Sequence, residues 1–224
     1  MKKRLPKEAI AARAVKELND GDSVNLGVGI PALCVNFISP ERIVFMHAEN
    51  GMLGYGKHVQ DYEKEKASTA FVDGGCNFVH YKPGMSCFDM GLSFDIIRGK
   101  HLDCSIMGAL EVSEKGDLAN WTQGGVELAG IGGSIDLAVG AKHVLICMEH
   151  NTRQGSPRIV KQCKFPLTAQ KCVKKIFTDI SVIEITDKGL LLKEYAPGWT
   201  AEEIQSLTEP KLLIAADLKV IESL

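Results

Sequence analysis

The stretch Ile43-Val44-Phe45-Met46-His47-Ala48-Glu49-Asn50-Gly51-Met52-Leu53-Gly54-Tyr55-Gly56 sets one carboxylate between an uninterrupted apolar run and a group of glycines. Residues 43–46 are short, β-branched or aromatic, which predicts a buried parallel strand. In open α/β sheets ligands bind in the crevice beyond the carboxyl ends of the strands, and Glu49 falls there. Gly51, Gly54 and Gly56 let backbone approach a ligand closely and reach positive φ at no steric cost. Asn50-Gly51 is also a strong turn signal, so these residues alone leave an ordinary solvated loop as the competing reading.

Upstream, the spacing of Ile10, Ala14, Val15 and Leu18 predicts an amphipathic helix over 7–19, stopped by Asn19-Asp20-Gly21. A strand over 24–26 then runs into Gly27-x-Gly29-x-Pro31 and a helix over 32–38, with Pro31 in its first turn. A helix N-terminus of this kind suits an anion. It is not the dinucleotide fingerprint, because position 32 is alanine.

Downstream, the charged stretch 58–68 reads as a solvated excursion, with Glu63, Lys64, Glu65 and Lys66 in alternation. A short strand at Phe71-Val72 ends in Asp73-Gly74-Gly75. A helix over 88–98 carries Phe88, Leu92 and Ile96 on one face and stops at Gly99, and strands follow over 102–110 and 144–148. Glu149-His150, just past the latter strand, reads as a surface or interface pair. Residues 159–163 are expected to be extended, and Thr168 to cap a helix through Phe177. Asp187-Lys188-Gly189 joins strands 182–185 and 190–192 as a hairpin, and Thr200 with Glu203 forms a capping-box pattern. Alternating strands and helices give an α/β fold: a mainly parallel sheet with helices on both faces, in one domain spanning 1–224.

Composition narrows the function. A net charge of -2 with 24% charged residues gives no basic excess for nucleic acid or an anionic membrane. The basic start MKKRLPKEAI is followed by Arg13, Lys16 and Glu17 rather than an apolar region, so no secretory leader is expected. No run of ~18 apolar residues could span a membrane, and a cytoplasmic protein is expected. Seven cysteines, an odd number without a C-x-x-C pair, read as reduced thiols, with Cys34, Cys104 and Cys147 in apolar surroundings. The histidines show no zinc-site spacing, so no metal is expected.

A second glycine stretch, Gly130-Ile131-Gly132-Gly133-Ser134-Ile135-Asp136, opens another helix. It fits neither the dinucleotide pattern nor G-x-S-x-G, so neither hydride transfer nor a serine hydrolase is supported. Consecutive N–H groups at a helix start, here those of Gly133 and Ser134, can hold a developing oxyanion.

Glu49-Asn50-Gly51 followed by Gly54-x-Gly56 resembles the active-site loop of the β subunit of family I CoA-transferases, the acetate/butyrate/3-oxoacid type. Asn25-Leu26-Gly27-Val28-Gly29-Ile30-Pro31 is similar to the family's first glycine loop, and residues 130–136 to its G-x-G-G-x-x-D loop, with Asp136 in the acidic position. Ser93-Phe94, Ile97-Arg98-Gly99, Leu118-Ala119-Asn120-Trp121 and Pro166-Leu167-Thr168-Ala169 match further blocks, so the resemblance runs from residue 7 to about 218.

The resemblance implies the CoA-transferase fold shared with sugar-phosphate isomerases, and Glu49 as nucleophile. It also implies Asn50, Gly51, Gly27, Gly29 and Gly132 as CoA and substrate loops, and a hetero-oligomer in which the partner is the CoA-transferase α subunit. CoA would move from an acyl-CoA to a free carboxylic acid through a glutamyl-CoA thioester, with no cofactor beyond CoA as carried substrate. A thioesterase using the same glutamate with water, or a sugar-phosphate isomerase of related fold, is the alternative. A non-catalytic effector-binding module would normally be fused to a helix-turn-helix, for which the chain begins with no room. Ala48, where the family often has serine, and Lys57, where proline is common, leave acyl specificity open.

Overall fold

The computed structural model describes residues 2–60, 68–124 and 130–222. In chain order the elements are α1 (Lys7–Val15), β1 (Ser23–Leu26), a 3-10 helix (Pro31–Phe37), β2 (Phe45–Ala48), β3 (Met52–Leu53), β4 (Ser86–Cys87), α2 (Met90–Arg98), β5 (Cys104–Met107), β6 (Glu111–Ser113) and β7 (Leu118–Ala119). There follow α3 (Ser134–Gly140), β8 (His143–Cys147), β9 (Ile159–Val160), β10 (Val173–Phe177), β11 (Ser181–Thr186), β12 (Gly189–Tyr195), α4 (Ala201–Ser206) and β13 (Leu212–Val220).

Ten strands form one sheet in the order β13-β12-β11-β10-β8-β5-β1-β2-β3-β4, and β7-β6-β9 form a second, which the sequence pattern does not announce. The strands β2, β1, β5, β8 and β10 are mutually parallel, while β3, β4 and β11 join antiparallel. The sheet is thus mainly parallel, as expected, with β3 and β11 running against the other strands. Two apolar clusters cover its faces: one holds Ile10, Ala14, Val15 and Leu18 of the first helix and its extension, the other Ile97, Leu137 and Ile204 from α2, α3 and α4.

The chain runs from β1 to β2 on one side, then returns to place β5, β8 and β10 on the other. That reversal makes the carboxyl ends of β1 and β5 a topological switch point, where ligand crevices open in such sheets.

Several elements depart from expectation. The strand predicted over 43–46 lies at Phe45–Ala48, and Ile43 and Phe45 are 59% and 43% exposed, because α2 covers that face only further along, at His47. In α2 the buried residues are Ser93 and Ile97, not Phe88, Leu92 and Ile96; Asp89 caps it, its carboxylate accepting from the Leu92 N–H at 3.0 Å. No helix follows Thr168: residues 173–177 form β10, held between β8 and β11.

His150 is not a surface residue. It is fully buried, with Nδ1 3.1 Å from Thr178 Oγ1 and Nε2 2.9 Å from Thr208 Oγ1. His58 is likewise buried, its Nε2 2.9 Å from Asp73 Oδ2, so the solvated reading fails at its first residue. Glu63, Lys64, Glu65 and Lys66 lie outside the described residues. Val72 makes only an isolated bridge to Phe78. The hairpin β11–β12 and the capping box of Thr200 and Glu203 stand as predicted. Among the described residues no helix is long and apolar enough to cross a membrane.

Candidate active site

The switch point opens into a cleft of 480 Å³. Glu49, one residue past β2, projects into it with Gly27 and Val28 from the end of β1, Met107 and Gly108 from the end of β5, and Gly132, Gly133 and Ser134 from the start of α3. Segments far apart in sequence thus meet around one half-buried carboxylate. Burial pushes the Glu49 pKa up from its ordinary value, the Gly133 N–H that donates to the carboxylate works the other way, and nearby Asp136 adds to the rise.

Glycine is required at 133 for space rather than backbone freedom. Its φ of -80° suits any residue, but a Cβ there would stand 2.7 Å from Glu49 Oε2 and 3.1 Å from Phe94 Cζ. Gly51 is required on both counts: φ is +114°, and a Cβ would fall 2.0 Å from the Phe88 carbonyl oxygen. The Gly51 N–H donates to the Ala48 carbonyl and the Gly54 N–H to that of Met46, at 2.9 and 2.8 Å, closing the loop tightly on β2.

The residues expected at the site divide into two groups. Glu49, Gly27, Gly132, Gly133 and Ser134 line the cleft. Asn50, Gly51 and Gly29 shape loops without lining it: Asn50 Nδ2 donates to the Val72 carbonyl at 2.7 Å, and Gly29 turns the chain at φ +86°. The paired oxyanion donors also need correction. The Ser134 N–H donates to the Ile131 carbonyl at 3.1 Å, a turn contact that occupies it, whereas the Gly133 N–H faces the carboxylate.

Asn120 belongs to the cleft and was given no chemistry from sequence. The Thr168 hydroxyl donates to Asn120 Oδ1 at 2.6 Å, which fixes the amide and leaves its NH₂ as the donor available for the cleft. The sequence signal was its place in Leu118-Ala119-Asn120-Trp121, but the Thr168 contact that orients it spans 48 positions. Asn25 was also missed as a lining residue.

A carboxylate so placed, with the Gly133 N–H facing it and glycines beside it, can attack an electrophilic carbonyl carbon.

Comparison with known proteins agrees with this geometry. The family profile described as Coenzyme A transferase matches residues 7–207. The β subunit of an acetate CoA-transferase from Haemophilus influenzae is 40% identical over 216 residues, covering 96% of this chain and 95% of that one. The corresponding B chain of a 3-oxoadipate CoA-transferase from Acinetobacter baylyi is 36% identical over 220 residues, covering 95% and 97%. In three dimensions an acyl-CoA transferase of Escherichia coli O157:H7 superposes with a TM-score of 0.76 at 20% identity, covering 99% of this chain and 45% of that one, so the chain spans less than half of that polypeptide. A glutaconate coenzyme A-transferase from Acidaminococcus fermentans gives 0.69 at 15% identity, covering 97% and 89%. With the profile spanning most of the chain and the relatives covered nearly end to end, the chain belongs to the family I coenzyme A transferases, on the β side of the acetate and 3-oxoacid type.

Proposed function

We propose that the chain is the catalytic β subunit of an enzyme that moves CoA from an acyl-CoA to a free short-chain or 3-oxo carboxylic acid, such as acetate, butyrate or acetoacetate, with Glu49 as the covalent nucleophile. The observation that carries this reading is the half-buried Glu49 carboxylate, raised in pKa by burial and held by the Gly133 N–H at the mouth of the switch-point cleft.

A Glu49 oxygen attacks the thioester carbonyl carbon, the C–S bond breaks, and an acyl-glutamyl anhydride forms with release of CoA thiolate. The thiolate attacks the Glu49 Cδ and expels the first carboxylate, leaving a glutamyl-CoA thioester. The acceptor carboxylate then attacks that thioester, releasing thiolate and forming a new anhydride. The returning thiolate takes the new acyl group and frees Glu49. Each attack on the glutamyl carbon places negative charge on a Glu49 oxygen, beside the Gly133 N–H, and the Asn120 amide lines the same cleft. A carboxylate is a weak nucleophile, and partial desolvation together with fixed geometry raises its reactivity.

The partner in this reading is an α subunit. Two observations support it. The relatives covered end to end are named as the β or B members of their enzymes, and Val28, in the cleft lining, and Val139, on α3, which opens at the cleft, are 70% and 62% exposed.

Incubating the co-expressed enzyme with acyl-CoA and no acceptor acid should add the mass of CoA to the peptide holding Ala48-Glu49-Asn50, and borohydride should reduce the adduct. Glu49→Ala should abolish adduct and transfer, and Glu49→Asp, which withdraws the nucleophile by ~1 Å, should cost about 10²-fold in turnover. The β chain alone should show neither. Full transfer by Glu49→Ala, or an adduct elsewhere, would overturn the assignment.

A further inference from the structure

We propose that His47 is a positioning residue that sets the plane of the peptide leading into Glu49, acting through Ser93 on the Ala48 carbonyl. The proposal rests on the reading of Glu49 as nucleophile.

His47 is fully buried in β2, two residues before Glu49. Its proton is located by its neighbours. Asn25 Nδ2, on the adjacent β1, lies 3.3 Å from the His47 carbonyl oxygen, which only accepts, so that atom must be the amide nitrogen. The same Nδ2 is 3.1 Å from His47 Nδ1, which therefore accepts, and the ring proton sits on Nε2. Nε2, 3.0 Å from Ser93 Oγ, then donates to it, and the Ser93 hydroxyl is left to give its own proton to the Ala48 carbonyl oxygen at 3.4 Å.

The donors thus point one way, from Asn25 on β1 through His47 on β2 and Ser93 on α2 to the Ala48 carbonyl. That carbonyl shares a peptide plane with the Glu49 nitrogen, and it also accepts the Gly51 N–H at 2.9 Å. It is gripped from the helix on one side and the glycine turn on the other. Asn25, His47 and Ser93 are at most 2% exposed, so water does not compete for these bonds. The Phe88 ring, stacked at 6.4 Å between centroids, fixes the imidazole further.

His47 itself takes no part in proton transfer with substrate, since both nitrogens are engaged and no edge reaches the cleft. The relay instead decides where Glu49 points. An apolar side chain could fill the same volume, but it would leave Ser93 free to turn and the Ala48 carbonyl held from one side only.

Two substitutions separate the halves of the relay. The Gln side chain places its amide where Nε2 lies and keeps the bond to Ser93, whereas Asn places its amide where Nδ1 lies and keeps only the bond to Asn25. In the co-expressed enzyme, His47→Gln should retain kcat within about threefold, while His47→Asn and Ser93→Ala should lose about 10²-fold in kcat at little change in KM, the cost of a displacement near 1 Å. Single-turnover formation of the Glu49 adduct should slow in parallel. Ile176→Val, a core change outside the cleft lining, should lower the thermal midpoint and leave kcat alone, which separates positioning from general stability. Wild-type kcat in His47→Asn and Ser93→Ala, losses confined to KM, or retention in His47→Asn with loss in His47→Gln would each overturn the proposal. Absence of any Glu49 adduct in the native enzyme would instead overturn the nucleophile reading, and this one with it.

Discussion

At Gly133 the sequence and the geometry meet on a single missing atom. The glycine pattern pointed to this position, and the structure supplies the reason, a carboxylate oxygen 2.7 Å from where a Cβ would stand. Because the backbone there is ordinary, Gly133→Val should fold, displace Glu49 and disturb the N–H that faces it. Turnover is expected to fall by on the order of 10² to 10³ at saturating substrate, the range for losing one oxyanion donor. Unchanged turnover with an unchanged melting temperature would reduce the turn to a structural role. Glu49 was legible because an acid ringed by glycines leaves a local trace. His47 and Asn120 were not: the one depends on a partner 22 positions away across β1, the other on Thr168 at 48 positions, and neither separation is written in the neighbouring residues.

Among the elements, those set by short-range rules were readable and those set by long-range pairing were not. The β11–β12 hairpin follows from Asp187-Lys188-Gly189 and the α4 start from Thr200 and Glu203, each complete within a few residues. The failure at 169–177 is instructive because Ala169, Cys172, Val173, Ile176 and Phe177 fall at helical spacing. The chain nevertheless forms β10 between two other strands, and a register shift at Val173/Lys175 absorbs the mismatch with period two. Sheet pairing on both sides outweighed local periodicity. The contact between α2 and α3 offers a test. A Cβ at Gly140 would lie 2.3 Å from the Ile97 carbonyl oxygen, so the two helices must separate to admit one methyl group. Gly140→Ala should destabilise by about 1–3 kcal/mol, as overpacking does, against its helix-propensity gain. A chemical denaturation series measures this, and a midpoint at or above that of the native chain would show that the helices yield freely.

For the molecule as a whole, the reversed strand β3 could not be read because β3 and its neighbour β4 are two residues each, too short to carry a pattern. Acid sensitivity is expected from two of the buried histidines, His47 and His150, whose pKa values burial pushes down from 6.5 to about 4. Above pH 6.5 both are neutral folded or unfolded; as pH falls the unfolded chain binds protons that the folded chain refuses. Stability is therefore lost between about pH 6.5 and 4, by about 1.4 kcal/mol per pH unit for each histidine at the steepest. Urea unfolding at pH 7 and pH 4.5 should show the fall, and His150→Gln should remove about half of it; a pH-independent midpoint across that window would contradict the buried neutral state. The outermost strand, β13, has a consequence for handling the protein in solution. Nine residues long, with Leu213, Ile214 and Val220 exposed, it offers unpaired backbone to any neighbouring chain. Its pairing with β12, however, jumps from Leu192↔Ile214 to Glu194↔Lys219, a register shift that divides it into two short ladders. Each ladder is a poor template for strand addition, and that interruption protects the sheet against edge-to-edge aggregation.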